Sequence, residues 1–220
     1  MDIQFDRITT GIEKYIRLMK WVHETNVSED SEFQRFYNGF YRMRQRPSAF
    51  YACYYQYLEQ NKNNSQLTFS DILLYLYEQT GQIHASFGSK LLATTNPSMP
   101  IWDKFVLQNL GLKAPYSYAN NRLTRVVQLY DQITQWYETE EAKYYLEIFN
   151  QHYPNIEMTD TKKIDWILWG DQIDLIIKHC HCRFCGFPAM TVLFLFYFVI
   201  PNIASAVRMP SMAADMMPPA

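Results

Sequence analysis

Lys90 and Asp103 of this 220-residue chain are side chains of types that carry chemistry in other proteins. A lysine amine stripped of its proton by a desolvating pocket is a nucleophile and can form a Schiff base with a carbonyl carbon. A carboxylate held nearby stabilises positive charge as it develops and orients the attacking group. Each residue also has a plain structural reading. Asp103 follows a Pro-rich link and opens an apolar run, so it reads equally as a helix N-cap. Lys90 reads equally as a solvated cation on a short helix. Immediately before the lysine lie Ser86, Phe87, Gly88 and Ser89, a small-residue stretch read as a hairpin whose backbone amides could approach a phosphate closely. Lys104 adds a cation beside Asp103, and Arg122 and Arg125 could extend that patch.

Other clusters carry less. Arg35, Arg42, Arg44 and Arg46 interleave with Phe36, Tyr37, Phe40 and Tyr41, which suits either a phosphate grip or a solvated face above an aromatic core stripe; the second is the favoured reading. His84 beside the hairpin reads as a turn residue rather than a phosphate donor. Residues 1–174 hold 17 Lys and Arg against 21 Asp and Glu, so contact with a polyanion has to come from a local patch. His179, Cys180, His181, Cys182 and Cys185 crowd five ligand types into seven residues with no second cluster, which is poor geometry for closing a tetrahedral zinc site. Cys53, in the aromatic run 50–57, reads as a buried thiol, and no disulfide framework is suggested. No glycine-rich phosphate loop and no Ser-His-Asp order stands out.

The elements that must position these residues are helical. Forty-eight per cent of the residues are apolar and 19% charged, enough to build a sizeable core, and only 7 are glycine. Apolar residues recur at helical spacing over 2–23 and 31–46, and a further helix runs from Pro47 to about 59. Thr68 and Asp71 form the ends of a capping box, and Gly81 is placed to stop the helix it opens. Shorter helices are expected at about 86–95 and 103–110, with Gly111 as the second stop, then at 118–137, at 139–151 and from Asp160 onward. The expected fold class is all-α: a multi-helix globular domain over 1–174 with a helix-hairpin-helix element, plus a hydrophobic C-terminal tail over 175–220.

That tail changes character. It holds 3 of the 4 cysteines and 5 of the 10 prolines, has no glutamine, and contains a charge-free run over 186–207. Three readings stand open: a membrane segment at about 187–207, a hydrophobic helix packed on the domain, or translation out of frame. The amphipathic, charged first 20 residues read as a helix rather than a secretory leader, so the expected location is cytoplasmic, with membrane anchoring through the tail as the alternative.

The stretch 81–112 resembles the helix-hairpin-helix DNA glycosylase superfamily, the endonuclease III-like fold of base-excision repair. Ser86, Phe87, Gly88, Ser89 and Lys90 lie over the family's Gly-Val-Gly-x-Lys hairpin. Ile101, Trp102, Asp103, Lys104, Phe105 and Val106 lie over its Val-Asp-Thr-His-Val element, and Asn109 to Leu112 over its Arg-Leu-Gly-Leu-like ending. Ser86 replaces the first hairpin glycine, and the iron–sulfur cysteines of some members have no counterpart, so no cofactor is expected. The resemblance implies DNA as partner and cleavage of the N-glycosidic bonds of damaged or mispaired bases. Asp103 would stabilise charge on the sugar, Lys90 would attack it, and the target base would be flipped out of the duplex. The alternative is a non-catalytic helical interaction protein, tethered to a membrane through its tail.

Overall fold

The structure, a computed structural model, describes residues 2–169, with side chains from Ile8 onward. Residues 175–220, including the cysteine and histidine run and the apolar segment 187–207, lie outside the described residues. Among the described residues there are nine helices and no strand: α1 (Asp2–Glu24), α2 (Ser31–Phe40), α3 (Ser48–Asn61), α4 (Phe69–Thr80), α5 (Ala85–Thr95), α6 (Lys104–Asn109), α7 (Arg122–Trp136), α8 (Glu140–His152) and α9 (Asp160–Trp169). The all-α reading is therefore correct for this part of the chain.

Local signals set most of the helix ends. Asp30 caps α2 by accepting from the amides of Glu32 and Phe33, each at 2.9 Å. Thr68 and Asp71 make the reciprocal capping box of α4, and Gly81 ends that helix at φ 68°, a left-handed conformation that glycine adopts without strain. Two expected helices are shorter than their apolar spacing suggested. The run over 31–46 stops at Phe40, and Arg42 and Gln45 take φ values of 52° and 63°. Pro47 bars a helix that runs on into residue 46, and left-handed Arg42 ends it earlier, just past Phe40. Tyr41 and Met43 remain buried, but from a loop. The run over 118–137 starts only at Arg122, because Asn121 is left-handed at φ 54°. Cys53 is half-buried rather than buried.

α5 lies at the centre. Its residues 88 to 94 are buried without interruption, so it is surrounded rather than laid on a surface. Gly88 lets α4 come close: a methyl there would sit 3.2 Å from Leu73 and 3.4 Å from Ile72. Tyrosine hydroxyls from α2 and α3 meet α5 from the other side. The Tyr37 hydroxyl lies 3.0 Å from that of Tyr54 and 3.1 Å from Oγ1 of Thr94. Thr94 donates to the Lys90 carbonyl at 2.7 Å, and Tyr54 to the Phe87 carbonyl at 3.1 Å. These phenols are buried, which pushes their pKa values up and keeps them as neutral donors.

α9 carries a buried ion pair. Lys162 Nζ lies 2.6 Å from an oxygen of Asp165, which also accepts from the Tyr137 hydroxyl at 2.5 Å. Both charged groups are almost fully enclosed. Burial raises the pKa of Asp165, while Lys162, the Tyr137 hydroxyl and the backbone amide of Ile101 all pull the other way by favouring its charged form. Removing one partner would strand the other charge in the interior. Asp165→Ala is therefore expected to lower stability by about 3–5 kcal/mol, measured by urea unfolding. A loss below about 1 kcal/mol, the range of an exposed pair, would contradict this reading.

Candidate active site

α5 presents His84, Phe87 and Lys90 at successive turns. Lys90 is only 6% exposed, and its amine lies 5.7 Å from the centre of the Phe87 ring. Among the described residues no group accepts a hydrogen bond from that amine. Burial lowers its pKa, opposed by the Asp103 carboxylate, which favours the charged amine. The lysine that sequence reasoning could equally place in solvent is thus a desolvated amine within the field of a carboxylate.

Asp103 caps α6, its Oδ1 accepting from the Phe105 amide at 2.9 Å. The cap leaves Oδ2 without a protein partner among the described residues, so the structural reading and the chemical one apply to different oxygens of the same group. What brings Asp103 to Lys90 is the side chain beside each of them. Ser89, fully buried, accepts the Trp102 amide on its hydroxyl at 2.9 Å and donates to the Ser86 carbonyl at 3.2 Å. The backbone next to Asp103 is thereby pinned to the turn of α5 that carries Lys90.

The rest of the link between α5 and α6 is held in the same way. Pro97 and Pro100 have no amide to donate, and extended backbone cannot pair with itself, so side chains must satisfy its carbonyls. Tyr130 donates to the Pro100 carbonyl at 2.7 Å, Thr159 to that of Pro97 at 2.6 Å and Thr161 to that of Ser98 at 3.1 Å. The Ile101 amide interacts with buried Asp165. Asn109 ties α6 to α9 through the Leu168 carbonyl at 2.8 Å.

Cations gather around this pair. Arg46 lies over the Phe87 ring at 4.9 Å, so of the four sequence-predicted arginines it is the one placed at the site. Arg35, Arg42 and Arg44 are exposed, as the solvated-face reading expected. His84 packs against Phe50 at 4.7 Å and Phe87 at 5.8 Å between ring centres. Its pKa falls to about 4, first through burial and then through repulsion by Arg46 and Arg122. Neutral at pH 7, it cannot grip phosphate as a cation. Arg122 starts α7 with its Nε buried and unpaired, and Lys104 is exposed at the start of α6. The convergence of Arg46, His84 and Arg122 had no local sequence signal, because the three come from distant segments.

The expected hairpin is corrected. Ser86, Phe87, Gly88 and Ser89 lie inside α5, and the amides of Phe87 and Gly88 both donate to the His84 carbonyl, at 3.1 and 2.8 Å. They are not free to meet a phosphate. Gly88 is used for helix packing and Ser89 for holding Trp102, while Ser86 and Phe87 stay half-buried. Among the described residues no group of three His, Cys, Asp or Glu side chains could hold a metal ion. No described helix is long and apolar enough to cross a membrane.

Two measurements follow from these environments. Below the ordinary lysine range the unfolded chain binds the Lys90 proton more tightly than the fold does, so the charged amine destabilises the fold at neutral pH. Lys90→Met should therefore raise the melting temperature at pH 7; a fall would show a merely supportive lysine. His84 has the same sign of shift. Its contribution is present above pH 6.5 and is lost as pH falls towards 4, on the order of 2–3 kcal/mol. His84→Gln should flatten the stability profile in that window, and an unchanged profile would contradict the buried neutral imidazole.

No family model matches the chain, and neither a curated protein nor a solved structure is similar to it at the level the comparisons require.

Proposed function

We propose that this chain is a DNA-binding, base-excision-repair-like protein that cleaves N-glycosidic bonds with Lys90 and Asp103. The observation that carries the reading is Lys90: a side chain almost wholly enclosed, its amine without a hydrogen-bonding partner among the described residues, lowered in pKa by burial and within the field of the Asp103 carboxylate. An amine must be neutral to attack, and burial moves Lys90 in that direction. In the proposed step the Lys90 nitrogen bonds to the sugar C1′, the C1′–N bond to the base breaks, and the base leaves with the bonding electrons. The attacking nitrogen then sheds a proton. Opening of the sugar ring leaves the Schiff base. Asp103 stabilises the positive charge that builds on the sugar as the base departs.

The order of parts supports the same reading. α4, the four residues 81–84 and α5 supply two helices and the short connection that a helix-hairpin-helix element needs. The connection carries left-handed Gly81 and lies upstream of the 86–90 hairpin expected from sequence. Arg46, Lys104 and Arg122 offer the local cations that a chain of net charge −2 needs to meet phosphates.

The test uses the full chain and a duplex with one abasic site, whose sugar aldehyde is common to every lesion such an enzyme would process. Borohydride should trap a covalent adduct, absent with Lys90→Ala and formed at least about 100-fold more slowly with Asp103→Asn. On the acid limb, trapping should fall as pH drops through the lowered Lys90 pKa, because the amine then gains its proton. An adduct that persists in Lys90→Ala would refute the assignment. Tight DNA binding with no adduct would leave a DNA-binding fold without this chemistry. Absence of both would favour the helical interaction protein.

A further inference from the structure

The loop between α6 and α7 holds the most exposed aromatic pair of the described residues. Tyr116 is 69% exposed and Tyr118 81% exposed, and their rings lie nearly parallel, at 7° and 5.4 Å between centres. A turn closed by the Ala119 amide donating to the Tyr116 carbonyl at 3.1 Å stacks the two rings on each other and leaves each an outer face. Burying neither ring forgoes a large apolar contribution that the core tyrosines of α2 and α3 do make.

The segment that holds them is one-sided in charge. Between Asp103 and Asp131 the chain carries Lys104, Lys113, Arg122 and Arg125 and no aspartate or glutamate, in a protein whose net charge is −2. Lys104, Lys113 and Arg125 are exposed. The loop runs from the helix capped by Asp103 to the helix started by Arg122, whose charge reaches His84, so it borders the candidate site at both ends. A protein partner for exposed tyrosines requires no acid-free surroundings, whereas a strand of unpaired nucleotides requires both features: flat rings for the bases and cations for the phosphates.

We infer that the 111–121 loop is a stacking platform for unpaired nucleobases, with Tyr116 and Tyr118 receiving the bases and Lys113 and Arg125 the phosphates. The inference rests on the DNA-binding reading above and adds to it a preference for unpaired over paired strand. It requires nothing of Lys90.

The experiment measures the affinity of the full chain for a fluorescein-labelled single-stranded 16-mer oligodeoxynucleotide and for the matching duplex, across a salt series. Tyr116→Ser with Tyr118→Ser should weaken single-strand binding roughly 10- to 100-fold and leave the salt slope unchanged, since stacking releases no counterions. Lys113→Ala with Arg125→Ala should instead flatten the slope by about 1.4. All four positions are exposed, so folding is preserved, which circular dichroism verifies. Wild-type affinity in the tyrosine variant overturns this inference alone and leaves the Lys90 reading in place. Failure of the unaltered chain to bind either strand overturns both. Equal weakening for duplex and single strand removes the preference for unpaired bases and overturns the platform.

Discussion

The buried carboxylate of Asp165 is the constraint on which the arrangement depends. It receives Lys162 from its own helix and the Tyr137 hydroxyl from the end of α7, and it engages the amide of Ile101 in the link between α5 and α6. A charge enclosed this completely is tolerated only when its partners are in place, so the three segments cannot shift independently. The link is thereby fixed two residues before Asp103. Ser89 fixes it again at Trp102, one residue before Lys90 on α5. The backbone that carries the two candidate catalytic groups is therefore fixed by buried hydrogen bonds.

This division of labour explains why a Pro-rich irregular segment can serve as a rigid part. It contributes little secondary structure, and four hydroxyls (those of Ser89, Tyr130, Thr159 and Thr161) take up its backbone groups one by one. Tyr54 of α3 does the same for α5 at the Phe87 carbonyl, and Tyr37 of α2 meets the Thr94 hydroxyl that donates to the Lys90 carbonyl. The heavy use of tyrosine, 17 residues against 14 phenylalanines, then has a physical role: each buried ring fills volume and also delivers a hydroxyl to a fixed point. Lys90 differs from these tyrosines: its side chain is enclosed and its amine has no hydrogen-bonding partner among the described residues, and a charged group that opposes stability in this way is the kind of exception that a functional site produces.

Much of the framework was legible in the sequence where the governing interaction is local. The Thr68–Asp71 box, Gly81 as the stop of α4, and Asp103 as the start of α6 each involve residues within one turn. The errors have non-local causes. Met43 and Tyr41 continue the apolar spacing of α2 and are buried, yet left-handed Arg42 ends the helix between them, so periodicity alone overran the end. Residues 86 to 89 carry two readings, the start of a helix over 86–95 and a hairpin; the helix is what forms, with Gly88 packed on Leu73 and Ser89 holding Trp102. The Lys162–Asp165 pair was missed in the sequence; the signal for its burial was its surroundings, since Ile164, Trp166, Ile167 and Leu168 leave α9 almost no polar face. Arg46 over Phe87, and Arg122 near His84, join segments that no spacing rule connects.

The central claim is that Lys90 is a desolvated amine within the field of the Asp103 carboxylate, and its own titration tests that most directly. An NMR titration of the lysine side chains, with the Lys90 signal assigned by its loss in Lys90→Met, reads the amine without any substrate. The account predicts a pKa below the ordinary lysine range that falls further in Asp103→Asn, because the carboxylate is what now favours the charged form. A Lys90 that titrates with the other lysines and ignores Asp103→Asn would contradict it.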